Sequence, residues 1–156
     1  MTLTTFKTIA IEDPQPVDLT DTLGRLATTH NIKISDDFIA FISAANSGYV
    51  YTYYKITAID QETGVKEIST PFIRDFSDPS RLKTIDLTKH GSLRRSIYIP
   101  FATDSEYYTV CLSAGENNCN KIVLLDNELP STDEHVIVVA DDINQWISNM
   151  YVRPTP

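Results

Sequence analysis

The chain has 156 residues, 42% of them hydrophobic and 22% charged, with a formal net charge of −8. Length and balance suit one globular domain with a buried core and exclude a disordered chain, which would hold fewer apolar residues. The acid excess argues against duplex nucleic acid and anionic membrane surfaces, which need a basic stripe, and favours a cationic protein partner.

The charge is uneven along the chain. Residues 1–73 hold five Lys/Arg against nine Asp/Glu, residues 74–95 six against three, and residues 96–156 two against nine. Met1 to Ile11 lacks a basic segment followed by a long apolar run, so no signal peptide is expected. No stretch reaches the ~18 consecutive apolar residues of a spanning helix. The expected place of work is the cytoplasm. In a reducing compartment Cys111 and Cys119 are expected as free thiols, with a bridge across a hairpin as the alternative. His30, His90 and His135 stand far apart, and neither a metal nor another cofactor is expected.

Residues 1–17 alternate polar and apolar and break at Asp13-Pro14-Gln15-Pro16, which predicts an extended arm or a short edge strand. A first helix is predicted from about Asp18, with Asp18 as its cap and Leu19, Leu23, Leu26, Ala27 and His30 on one stripe. After a turn at Asn31–Ile34, Ser35 caps a second helix. Its apolar face is Phe38, Ile39, Phe41, Ile42 and Ala45. Asn46-Ser47-Gly48 ends it, with Gly48 expected in the left-handed conformation.

Strands follow. In residues 49–56, Tyr49, Tyr51 and Tyr53 share one face, and Val50, Tyr54 and Ile56 the other. A turn at Glu62-Thr63-Gly64 leads to a strand from Val65 to Ile68. Residues 71–96 are polar and locally basic, read as a surface excursion with one helical turn around Ser80 to Ile85. Further strands are expected at 97–101, 107–112, 121–126 and 136–139, then a last helix from about Asp141 with Ile143, Trp146, Ile147 and Met150 on one side. The order predicts an α+β fold, a mostly meandering antiparallel sheet with two N-terminal helices and a C-terminal helix packed against it.

Three blocks carry a family resemblance. They are Ser35-Asp36-Asp37-Phe38-Ile39-Ala40-Phe41-Ile42 with Asn46-Ser47-Gly48, then Ile99-Pro100-Phe101-Ala102 with the hairpin 108–128, and finally Asp141-Asp142-Ile143-Asn144-Gln145-Trp146-Ile147. In order and spacing they resemble the SUKH superfamily, which includes fungal cell-wall-synthesis regulators and many bacterial immunity proteins. The chain departs from it at Asn46-Ser47-Gly48, where members often have two glycines, and at Ser105-Glu106-Tyr107, where many have Gly-Asp. The resemblance spans about residues 18–150 and implies a single SUKH-like domain over 1–156. It also implies a protein-binding role: bacterial members commonly neutralise a cognate toxin, often a nuclease, and no catalytic residues carry over. The expected function is an immunity protein acting by stoichiometric occlusion. The alternative is a housekeeping regulator or scaffold of the same fold.

Two constellations are candidates for the contact. Asp104, Glu106, Glu116, Asp126, Glu128, Asp133 and Glu134 lie at strand ends and turns, where they would mimic a phosphate backbone toward Lys/Arg of a toxin, or merely stay solvated. Tyr49, Tyr51, Tyr53, Tyr107 and Tyr108 would serve an interface, or cover the sheet as half-buried side chains. Catalysis finds little support. Asp36-Asp37 and Asp141-Asp142 sit at predicted helix starts, where capping explains them, and neither a GxSxG elbow nor a Gly-rich phosphate loop occurs. No enzyme is expected, and the sequence leaves the oligomeric state open.

Overall fold

The computed structural model describes residues 2–57, 65–69, 72–78, 84–86, 97–104, 108–115, 119–126 and 136–152. Within them the chain runs β1 (Leu3–Phe6), β2 (Ile9–Glu12), α1 (Thr20–His30), α2 (Asp36–Ala45), β3 (Tyr49–Val50) and β4 (Tyr53–Thr57). It continues as β5 (Val65–Ser69), β6 (Phe72–Ile73), β7 (Ile85–Asp86), β8 (Ile97–Asp104), β9 (Tyr108–Ser113), β10 (Ile122–Asp126), β11 (Val136–Ala140) and α3 (Ile143–Ser148).

Every described pairing is antiparallel. The largest sheet has the order β11-β10-β9-β8-β6, with β7 also on β8; the order β1-β2-β3 makes a second sheet, and β4-β5 a third. This is the α+β meander expected from the strand spacing. The N-terminal arm is more than an edge strand. Lys7 takes a positive φ of 52° in the tight turn of a hairpin, and Ile9 and Ile11 enter the main core.

The helices form for local reasons that hold up in the structure. Ser35 Oγ accepts from Phe38 N–H at 3.2 Å, and Asp142 Oδ1 accepts from Gln145 N–H at 2.7 Å, so both α2 and α3 have side-chain caps. α1 starts at Thr20, later than expected, and Asp18 Oδ1 accepts the Thr20 N–H at 2.9 Å from just outside the helix. Hydrogen bonds from the Thr20 side chain and, second, from its N–H hold the Asp18 carboxyl below its ordinary pKa. Asn31 closes α1 in the left-handed region at φ 51°, and Ile32 N–H reaches back to Ala27 O at 2.9 Å.

Trp146 of α3 is the centre of the core. Phe41 from α2, Tyr54 from β4 and Phe101 from β8 pack against it in T-shaped pairs at centroid distances of 6.1, 5.8 and 5.4 Å. Phe38 stands edge-on to Phe101, and Phe6 of the hairpin edge-on to Phe41. A smaller cluster of Tyr98, Cys111, Val123 and Leu125 fills the other face of the large sheet.

Three expectations need correction. Ser47, not Gly48, carries the positive φ after α2, at 63°. Gly48 is required for space instead: a Cβ there would lie 2.5 Å from Ile11 Cγ2 and 3.0 Å from Ala45 O. The segment read as a surface excursion contributes β6, and Phe76 is in the core. The reason is Asn46, fully buried, whose Oδ1 accepts Phe76 N–H at 2.6 Å while its Nδ2 donates to Gln15 O and Asp75 Oδ1. Finally, Ile85 is in a strand on β8; the rest of the helical turn expected at Ser80 to Ile85 and the turn at Glu62-Thr63-Gly64 lie outside the described residues, apart from the unassigned Thr84.

Candidate functional site

The run from Tyr49 to Ile56 alternates as its sequence dictates, with Val50, Thr52, Tyr54 and Ile56 buried. It is not one strand. Thr52 N–H turns back to Val50 O at 2.9 Å, which places Tyr51 at the apex of a three-residue turn between β3 and β4. Tyr49 and Tyr51 project on the outer side, 42% and 62% exposed, and their rings stack with centroids 6.2 Å apart and planes 13° off parallel. Phe72 of β6 meets Tyr49 edge-on at 5.0 Å.

Glu12 completes this patch. The β2–β3 register sets it directly opposite Tyr49, so the two side chains share a face. Only 9% exposed, Glu12 accepts a hydrogen bond from the Tyr51 hydroxyl. That bond, followed by the negative charge of Glu12, raises the Tyr51 hydroxyl above its ordinary pKa. Tyr53 belongs elsewhere: it exchanges both main-chain hydrogen bonds with Tyr151, at 2.8 and 2.9 Å, and its ring lies beside that of Tyr151. The Tyr151 hydroxyl donates to Glu67, and Lys55 Nζ sits 5.3 Å above the Tyr151 ring.

The other expected contact residues divide into two groups. Asp104 and Asp126 are both registered against Tyr108, so the ends of β8 and β10 and the start of β9 lie side by side. Tyr108 itself is buried in the main core and is not a surface side chain. Glu106, Tyr107, Glu116, Glu128, Asp133 and Glu134 lie outside the described residues. Pairing of β6 with β8 sets Phe72 against Thr103, next to Asp104 along the chain, so the tyrosine patch adjoins this strand end.

Sequence reading missed Glu12, Phe72 and Tyr151. Glu12 was detectable only through strand register, and the arm that carries it shows no partner in its own sequence. The thiols are free, Cys111 buried and Cys119 exposed, and burial pushes the Cys111 thiol up to about 12, which leaves it almost wholly protonated at neutral pH.

The described residues form a small α+β protein that exposes a stacked tyrosine pair beside the largely buried carboxylate of Glu12, groups suited to recognition. The model of the SMI1 / KNR4 family (SUKH-1) matches residues 20–149, and the chain belongs to that family. No curated protein and no solved structure matches the chain. No helix among the described residues is long and apolar enough to cross a membrane.

Proposed function

We propose that this chain is an immunity protein: a single domain that binds a cognate bacterial toxin in the cytoplasm and neutralises it by stoichiometric occlusion, without catalysis of its own. The observation that carries the reading is the exposed Tyr49–Tyr51 pair backed by a carboxylate, on a fold of a family whose resemblance implies protein binding. Tyrosine supplies large contact area at low entropic cost and is enriched where proteins meet. The net charge of −8 favours a basic toxin, with a nuclease first among candidates because its active face must bind phosphate. Asp104, Glu106, Tyr107, Glu116, Asp126, Glu128, Asp133 and Glu134 remain part of this proposed contact.

The test is titration of the chain against the product of the adjacent toxin-like gene. A one-to-one complex that abolishes toxin activity is the expected result. Absence of any complex, at low and high salt alike, would sink the idea. The SMI1 / KNR4 description of the matched family also favours a second reading, a housekeeping regulator or scaffold. Gene neighbourhood separates the two, since only the immunity reading requires a toxin gene beside this one.

A further inference from the structure

Among the described residues two aromatic rings already carry a lysine of their own. Lys7 Nζ lies 5.8 Å from the Phe6 centroid, and Lys55 Nζ 5.3 Å from that of Tyr151. Among the described residues the Tyr49–Tyr51 pair has no such cation. Its charged neighbours are acids: Glu12, hydrogen-bonded to Tyr51, and Asp13, close enough to act on the Tyr51 hydroxyl.

This combination is selective. An exposed aromatic face attracts a cation through its quadrupole. A carboxylate only 9% exposed, as Glu12 is, is less screened by solvent than a surface acid, so its field acts on a ligand seated on the rings. Arginine meets both demands at once, because its planar guanidinium stacks on a ring while its N–H groups fork toward a carboxylate. The site is also preset. Phe72 buttresses Tyr49, and the turn at Thr52 holds Tyr51 outward, so little ordering remains to be done on binding.

We propose that Glu12, Tyr49 and Tyr51 form a docking site for an arginine side chain of a partner protein, with the guanidinium on the exposed tyrosine faces and directed at the Glu12 carboxylate. The identity of that partner rests on the immunity reading; the chemistry of the site does not.

The experiment is an NMR titration of the isotope-labelled full chain with the blocked peptide Gly-Arg-Gly-Arg-Gly and with its citrulline counterpart, which has the same shape and no charge. Signals of Glu12, Tyr49 and Tyr51 move and saturate with the arginine peptide alone. Tyr51→Leu and Glu12→Gln each weaken binding about tenfold, the loss of one cation–π or charge-assisted contact. Tyr53→Phe leaves binding unchanged. Equal binding of the citrulline peptide, shifts centred elsewhere, or no saturation by about 10 mM peptide, the weak limit of a specific contact, overturns the site. The same variants tested against the toxin keep the two readings apart. A toxin complex indifferent to Tyr51→Leu and Glu12→Gln overturns the arginine site and leaves immunity standing. An arginine site in a chain that binds no toxin does the reverse.

Discussion

Replacing Gly48 with alanine tests the close packing between the N-terminal hairpin and the end of α2. The new Cβ would stand 2.5 Å from Ile11 Cγ2, 3.0 Å from Ala45 O and 3.3 Å from Pro14 Cα. None of these atoms yields easily. Ile11 is fully buried and its methyl branches from a stiff β-carbon, while the other two are main-chain atoms. Because Gly48 does not need the left-handed region, alanine brings no backbone strain, and the smaller entropy of the unfolded chain stabilises by about 0.4–1 kcal/mol. Overpacking costs about 1–3 kcal/mol, so the net effect is a loss of roughly 1–2 kcal/mol. For a chain of this length that lowers Tm by about 2–8 °C. Thermal denaturation followed by circular dichroism reads it directly. Ile11→Ala removes the offending methyl, and the double variant is expected to be about 1 kcal/mol more stable than the sum of the single changes. An unchanged or raised Tm, or strict additivity in the double variant, would refute the steric account.

Asn46→Ala strands the buried Phe76 N–H and frees the segment 72–78, costing about 2–4 kcal/mol in urea denaturation with no loss of α2 helicity. Asp142→Ala removes the cap of the short α3 and costs about 1 kcal/mol, with near-ultraviolet dichroism of the single tryptophan reporting the loss. A thiol reagent near pH 8 labels Cys119 alone in the native chain and Cys111 only after denaturant, since burial holds the Cys111 pKa at about 12. Asp18, whose pKa is depressed on folding, adds stability above its ordinary value of 3.8 and loses it as pH falls through the folded value. The stability gap between wild type and Asp18→Ala therefore narrows in acid, as paired melts at neutral and acid pH would record.

What the sequence made readable was periodic or local. Ser35 as cap, the buried face Phe38–Phe41–Ile42, the Tyr49/Tyr51 face and the side of α3 bearing Trp146 all follow from spacing along the chain. What it hid depends on contacts between distant residues. Gly48 reads as a cap glycine until Ile11 is seen against it, and Phe76 reads as loop until Asn46 is seen to hold it. Glu12 looks like an unremarkable acid because its tyrosines arrive nearly forty residues later. Tyr108 misled for a related cause: an aromatic residue at a strand start says nothing about which face the register will turn inward, and here it is the core.

The position of Trp146 also bears on how the chain is made. Its ring closes a cluster drawn from residues 41, 54 and 101, so the last helix joins segments that the ribosome releases much earlier. Until α3 is made, Phe41, Tyr54 and Phe101 lack the indole they pack against. Their final packing must wait for residues 143–148, so completion of this core comes after synthesis of α3, long after Phe41 and Tyr54 have emerged.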